Sequence, residues 1–74
     1  MSHLADVKIG SSVRVAGIDG DDSLSVRLME MGLTPGVDVA VLGTAPLGDP
    51  IEIELRGYRL SLRKSEAARI EVQD

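Results

Sequence analysis

Aspartates in the first third of the chain are the side chains best placed for metal chemistry. Together with nearby residues they match ligand positions one, three, five, seven and twelve of a calcium-binding loop, namely Asp19, Asp21, Ser23, Ser25 and Glu30. The match fails at position six, where a sharp turn needs glycine and the chain has Leu24. It fails again at position nine, where Arg27 replaces a ligand or a water-bridging group. We therefore predict no calcium loop here.

The other polar residues offer little catalytic or metal-binding chemistry. His3 is the only histidine, and the chain has no cysteine. Glu52 and Glu54 are paired at strand spacing, which places them on one exposed strand face. No serine is accompanied by a nearby histidine and acid, and no glycine-rich phosphate loop is present. We predict a non-enzyme with no metal site, no catalytic residue and no cofactor.

Length and composition indicate one small domain over residues 1–74 with an aliphatic core. Tyr58 is the only aromatic residue. No apolar run is long enough to span a membrane, and the first residues lack the pattern of a signal peptide. We therefore expect a cytoplasmic protein that does not insert into a membrane.

Charge is distributed unevenly along the chain. The formal net charge is −4, yet residues 56–69 contain five basic side chains and one acidic side chain. A basic segment of this kind could orient the molecule on a charged partner, and a solvated strand face is the ordinary explanation.

Five segments alternate apolar and polar residues, which is typical of strands with one face on a core. Their apolar positions are Val13, Val15 and Ile18; Val37, Val39 and Val41; Ile51, Ile53 and Leu55; Tyr58, Leu60 and Leu62; and Ile70 and Val72. A hairpin turn is predicted at Arg56-Gly57, with Glu52 and Glu54 facing Arg59 and Arg63 across the strands. Ser65–Ala68 is predicted to form one helical turn before the last strand.

One amphipathic helix is predicted between the first two strands. Ser23 is expected to cap it, and Leu24, Leu28 and Met31 form its apolar stripe. Gly32 tolerates the positive φ of a Schellman cap, so the helix should end there. Residues 34–37 should then form a type II turn, because Pro and Gly occupy its two central positions.

Five short strands cannot bury both faces of a flat sheet, and an open sheet would leave unpaired edges. The sequence therefore predicts a mainly β fold, a small five-stranded barrel with one inserted helix. The turn-rich segment from Leu42 to Pro50 should form a long hairpin tip that carries Leu47.

Three segments resemble the FeoA (ferrous iron transport protein A) family. They are Arg27-Leu-Met-Glu-Met-Gly-Leu-Thr-Pro-Gly36, Ala45-Pro-Leu-Gly-Asp-Pro-Ile51 and Leu60-Ser-Leu-Arg-Lys-Ser-Glu-Ala67. The resemblance implies an SH3-like barrel with the helix between strands one and two. It also implies an accessory protein of ferrous iron uptake that docks on the cytosolic, GTP-binding region of the membrane transporter FeoB.

Residues that the core does not need are the candidate partner contacts. On the outer side of the helix these are Val26, Arg27, Met29 and Glu30, and Leu47 is added at the hairpin tip. Arg27 could instead pair with Glu30, one turn along the helix.

Other functions remain open at this point. The same module occurs in metal-dependent repressors, which leaves a protein-interaction module of a metal-dependent regulator as one alternative. A weak nucleic-acid-binding barrel is another, supported only by the basic segment, since stacking aromatics are lacking and the net charge is negative. Recognition of proline-rich peptides needs several aromatics, which one tyrosine cannot supply. Open strand edges also leave weak self-association between copies to be tested.

Overall fold

The computed structural model describes residues 2–73, in which six strands alternate with two short helices and one 3₁₀ turn. The strands are β1 (Ser2–His3), β2 (Ser12–Ile18), β3 (Asp38–Thr44), β4 (Ile51–Leu55), β5 (Tyr58–Leu62) and β6 (Ile70–Gln73). The helices are α1 (Ser23–Glu30) and α2 (Lys64–Ala67), and the 3₁₀ turn is Leu4–Asp6. The predicted mainly β fold with a helix between two strands is confirmed.

All six strands belong to one antiparallel sheet with the order β1-β6-β2-β3-β4-β5. The pairing register shifts between Val15 and Gly17 in β2 and between Val41 and Gly43 in β3. Bulges of this kind bend a strand and increase its twist, so the sheet can curve around its apolar side chains.

One apolar cluster forms the core, with contributions from β2 to β6 and from both helices. The alternation in β4 shows how the sequence produces it, because Ile51 and Ile53 are buried while Glu52 between them is exposed. The buried apolar side chains are Leu4, Val15, Leu28, Leu33, Val37, Val39, Val41, Ile51, Ile53, Leu55, Leu62, Ala67, Ile70 and Val72.

One strand is missed and two predicted boundaries are wrong. The prediction of five strands misses β1, which has two residues and therefore no alternation to detect. The second predicted strand was expected to stop at Val41, yet β3 continues to Thr44 because the bulge around Leu42 preserves the pairing beyond it. The predicted helical turn at Ser65–Ala68 begins one residue earlier, at Lys64.

The end of α1 is the Schellman cap that the sequence predicts. Gly32 has φ +104°, and its N–H donates to the Met29 carbonyl at 3.0 Å. The Leu33 N–H donates to the Leu28 carbonyl at 3.2 Å, which closes the second bond of the motif. Leu28 and Leu33 are both fully buried, so the cap also fastens the helix to the core.

The turn after α1 and the β4–β5 turn are also confirmed. Val37 donates to the Thr34 carbonyl at 3.2 Å, and Gly36 has φ +92°, as a type II turn requires. Arg56 and Gly57 both have positive φ, +50° and +83°, which is the conformation of a type I′ hairpin.

The predicted charge pairs across β4 and β5 are only partly correct. Arg59 lies opposite Glu54, while Ser61 lies opposite Glu52. The Arg59 Nη1 atom is 3.6 Å from the Glu52 Oε1 atom, which makes a diagonal pair. Arg63 lies past the end of β5, at the N-cap of α2, so its predicted cross-strand role is wrong.

Both helices are short, since α1 has eight residues and α2 has four. A helix that crosses a bilayer needs about 20 residues. Within residues 2–73, no helix has the length and apolar character to cross a membrane.

Candidate functional site

Helix α1 carries four of the five residues predicted to contact a partner. The side chains of Val26 and Met29 are 49% and 42% exposed, and Arg27 and Glu30 are exposed as well. Met29 and Glu30 follow Val26 by three and four residues, so each of their side chains is a neighbour of the Val26 side chain on the helix. We call these three residues the helix surface. Two exposed apolar groups beside a carboxylate could contact a partner that is apolar at its centre and basic at its rim.

The start of α1 is held by Asp22, one residue before the predicted cap Ser23. The Asp22 side chain accepts from the Ser25 N–H at 3.3 Å, and the Ser25 hydroxyl donates to the Asp22 carbonyl at 2.7 Å. The prediction of Ser23 as cap is therefore wrong, because the adjacent aspartate has the extended backbone that a cap needs. Ser25 is fully buried, and this hydrogen bond satisfies its hydroxyl.

Arg69 joins the same helix end to the sheet. Its guanidinium donates to the Asp22 carboxylate at 2.5 and 3.1 Å and to the Asp19 carbonyl at 2.9 and 3.2 Å. The hydrogen bond to Arg69 holds the pKa of Asp22 below its usual range. The same bond raises the pKa of Arg69.

The lowered pKa of Asp22 predicts a stability that depends on pH. A carboxyl whose pKa is lower in the folded state stabilises the fold above its unfolded pKa and loses that contribution as the pH falls through the folded value. We expect Asp22→Asn, which retains a capping side chain, to reduce the loss of stability between roughly pH 5 and 2. Urea unfolding at a series of pH values measures this.

Arg69→Gln provides the matched test of that cause. It removes the guanidinium that lowers the pKa of Asp22, so the pH dependence should fall by a similar amount. The double variant should then show no further change, because both substitutions remove the same interaction. A wild-type pH profile in Asp22→Asn would contradict the prediction.

Arg27 pairs with a different residue from the predicted Glu30. Its Nη2 atom lies 2.6 Å from the Glu66 Oε2 atom. The other oxygen of Glu66 accepts from the Arg63 N–H at 2.8 Å, which caps α2. The expected pair within α1 is therefore wrong, and Arg27 connects α1 to α2 instead. Its side chain remains mostly exposed, so the opposite side of its guanidinium can still meet a partner.

Tyr58 holds the other end of α1. Its hydroxyl donates to the Met31 carbonyl at 2.6 Å, which satisfies one of the acceptors left free at a helix C-terminus. A Cβ atom added at Gly32 would lie 2.7 Å from this hydroxyl. The helix surface is therefore presented by a short helix that is held at both ends.

Leu47, the fifth predicted contact, lies in the loop between β3 and β4. Its side chain is 97% exposed, the highest value among the large apolar residues that are exposed. The loop is closed beneath it by Ala45, which donates to the Pro50 carbonyl at 3.0 Å. Leu47 thus belongs to a different element from the helix surface, as the sequence predicts.

The sequence predicts no metal site, because no cysteine or second histidine stands at ligand spacing from His3. The fold nevertheless brings His3, Asp19 and Glu71 together, with one ligating atom of each within 4.8 Å of the others. The His3 Nε2 and Asp19 Oδ2 atoms are 2.9 Å apart. Only the pairing of β1 and β2 with β6 creates this cluster, so no local sequence signal could have revealed it.

Two arginines of the basic segment make ion pairs within the protein. Arg59 lies near Glu52, and Arg69 is bound to Asp22. These pairs neutralise part of the positive charge on which the nucleic-acid alternative depends. The structure therefore favours the ordinary explanation of this segment.

Comparison with known families gives an assignment for almost the whole chain. The family model of the FeoA domain matches residues 2–74. The chain belongs to the FeoA family. The resemblance in the Arg27–Gly36 segment and the two later motifs is thereby confirmed.

Two solved FeoA structures have the same fold as this FeoA-family chain. The FeoA-like protein of Clostridium acetobutylicum is 46% identical with a TM-score of 0.91, over 97% of this chain and 84% of that one. FeoA of Stenotrophomonas maltophilia, in a complex with zinc and described as a prokaryotic SH3 domain protein, is 27% identical with a TM-score of 0.86, over 99% and 91%. The predicted SH3-like fold is confirmed by these relatives.

A curated relative contains the FeoA domain within a much longer chain. The Fe(2+) transport protein A/Fe(2+) transporter FeoB fusion protein of Porphyromonas gingivalis is 33% identical over 71 residues. The match covers 96% of this chain and 8% of the fusion protein. The chain therefore spans less than a tenth of the length of that relative.

Proposed function

We propose that this chain is a non-catalytic accessory protein of ferrous iron uptake that docks on the cytosolic, GTP-binding region of the transporter FeoB. Docking would modulate transport or the assembly of the transporter. The proposal places the chain on the cytoplasmic side of the membrane without inserting it into the bilayer. It is supported by one comparison and by the geometry of α1.

The fusion relative is the observation that carries the proposal. In that protein the FeoA and FeoB names describe one polypeptide, so the two parts are present at a fixed ratio and at a high effective concentration. Joining two proteins in this way is advantageous when they act on each other. We extend that association to this separate chain and the transporter of its own cell.

The geometry of α1 supports docking because the helix surface is preorganised. Asp22 and Arg69 fix the start of the helix, and Gly32 and Tyr58 fix its end. A contact surface that is already rigid loses little conformational entropy on binding. The exposed apolar side chains of Val26 and Met29 are then free to be buried against a partner.

The polar groups around α1 support a non-catalytic role. The Ser25 hydroxyl is buried in a hydrogen bond to the backbone. Arg69 and Glu66 each bind two partners that hold the fold together. These side chains stabilise the helix ends, which is a structural use of groups that could otherwise take part in catalysis.

Direct binding measurements test the proposal in two steps. Full-length FeoB in nanodiscs is titrated with this protein in the presence of a GTP analogue and then of GDP. Saturable binding in either nucleotide state supports the association with FeoB. Binding to the isolated cytosolic region supports docking on that region. No binding to full-length FeoB in either nucleotide state would contradict the proposed function.

Substitutions in the helix surface should weaken this binding. We expect Val26→Asp and Met29→Asp each to lower the affinity for FeoB at least about tenfold, because a charge would be buried where an apolar side chain packs. Charge reversal of Arg27 and Leu47→Asp test two of the three remaining candidate contacts in the same assay. Surface plasmon resonance measures all four variants.

Ile9→Asp is the matched control for these variants. Ile9 is 59% exposed and equally apolar, but it lies outside the predicted contacts, in the segment before β2. Its substitution should leave the affinity near the wild-type value. Equal affinities for Ile9→Asp and for both helix variants would show that the helix surface is not the docking site.

A further inference from the structure

Three side chains of types that can bind a metal ion lie close together around strand β6. Glu71 lies in β6 with β1 on one side and β2 on the other. His3 lies in β1 and is paired directly with Glu71 of β6. Residues that lie directly opposite in antiparallel strands project from the same face, so the imidazole and the carboxylate are neighbours.

Gly17 keeps the space beside Glu71 open on the other side. It is the residue of β2 that is paired with Glu71. A Cβ atom at this position would lie 3.6 Å from the Glu71 Oε1 atom, within van der Waals contact. Because Gly17 has no side chain, β2 places no side-chain atoms there, between Glu71 and Asp19.

Asp19 completes the cluster at the end of β2. Its backbone N–H donates to the Arg69 carbonyl at 2.7 Å, which fixes its position relative to β6. Its carboxylate lies 2.9 Å from the His3 Nε2 atom. The side chains of His3 and Asp19 are 37% and 50% exposed, so an ion could reach them from solvent while retaining several water ligands.

The distances between the donors are close to those of a coordination shell. First-row divalent ions bind imidazole nitrogen and carboxylate oxygen at about 2.0–2.2 Å, so donors up to about 4.4 Å apart can share one ion. The ligating atoms of the three side chains lie within 4.8 Å of one another. A small rotation of the Glu71 or Asp19 side chain would therefore suffice.

The surrounding charges set the strength of the site. Two carboxylates favour a divalent cation, and one imidazole nitrogen selects a transition metal over calcium or magnesium. Arg69 is a cation beside the cluster, and its charge interacts with that of Asp19. Its guanidinium is bonded to the Asp19 backbone and to Asp22, so it occupies neither carboxylate oxygen of Asp19 in a hydrogen bond.

We propose that His3, Asp19 and Glu71 bind one divalent first-row transition-metal ion on the surface of this protein. The ion would connect β1, β2 and β6 and complete its coordination shell with water. The site belongs to the sheet, whereas the helix surface belongs to α1, so this proposal stands independently of docking on FeoB.

Calorimetry with Zn²⁺ alone tests the site, with three variants that each remove one ligand. We expect one Zn²⁺ per wild-type chain and an affinity at least about tenfold lower in each of His3→Gln, Asp19→Asn and Glu71→Gln. Asp38→Asn and Glu52→Gln are the controls, since they remove an exposed carboxylate outside the cluster. These two variants should bind Zn²⁺ as the wild type does.

Nuclear magnetic resonance locates the ion independently of the variants. In the ¹⁵N-labelled protein, substoichiometric Zn²⁺ should shift the amide signals of residues 3, 19 and 71 and leave those of residues 38 and 52 in place. Wild-type affinity in all three ligand variants would overturn the proposal. So would the absence of saturable binding below millimolar Zn²⁺, in which case His3 and Asp19 form only a hydrogen-bonded pair.

Discussion

Replacing Leu28 with alanine is expected to lower the free energy of unfolding by about 2–5 kcal/mol. The side chain is fully buried, and Leu28 is the residue of α1 that belongs to the buried core cluster. Removing it leaves a cavity that the surrounding strands cannot fill, because they are already paired in a continuous sheet. A chain of this size has a total stability of only about 4–11 kcal/mol, so the variant should be partly unfolded at moderate temperature. Urea unfolding followed by circular dichroism measures the change.

Val26→Ala is the control for Leu28→Ala. It removes an aliphatic side chain from the same helix, two residues earlier, where half of the side chain is exposed. We expect a change within about 0.5 kcal/mol. If the two substitutions destabilise the protein equally, Leu28 does not anchor the helix in the way the structure indicates.

Gly32→Ala is the second substitution with a large expected effect. We expect it to destabilise the protein by about 2–3 kcal/mol for two separate reasons. A side chain at φ +104° is strained. In addition, the new Cβ atom would lie 2.7 Å from the Tyr58 hydroxyl, which must move and thereby lose its hydrogen bond to Met31. Thermal unfolding followed by circular dichroism measures the loss.

Gly36→Ala separates the two causes. Gly36 has φ +92° and nothing within 4 Å of an added Cβ atom, so its replacement carries the backbone strain alone, about 1–2 kcal/mol. In a Tyr58→Phe background, Gly32→Ala should cost less than in the wild type, and any excess over Gly36→Ala comes from the Leu55 Cδ1 atom, 3.2 Å from the added Cβ atom. If Gly32→Ala is no more destabilising than Gly36→Ala in the wild-type background, the contact with Tyr58 contributes nothing.

The sequence predicts the local parts of this fold well. The Schellman cap at Gly32 and the hairpin turn at Arg56-Gly57 depend on residues close together in the chain, whose conformational preferences are strong. The burial of alternate residues in β4 follows from a period of two. The choice of Ser23 instead of Asp22 as the N-cap fails because both residue types cap helices and stand side by side.

The parts that the sequence does not predict are contacts between distant segments. Arg27 pairs with Glu66, which is 39 residues away, while a suitable partner, Glu30, is available in the next turn. His3 meets Glu71 only because the first and last strands are paired. Which of several carboxylates an arginine or histidine reaches is decided by the sheet order, and no local pattern encodes that order.

The contact of Tyr58 with the end of α1 also has a spectroscopic consequence. The chain has no tryptophan and no phenylalanine, so Tyr58 is its only aromatic chromophore. Its hydroxyl is bonded to the Met31 carbonyl, directly after the helix that carries the helix surface. The intrinsic fluorescence and near-ultraviolet dichroism of the unlabelled protein therefore come from one group, and they report on the junction between α1 and β5.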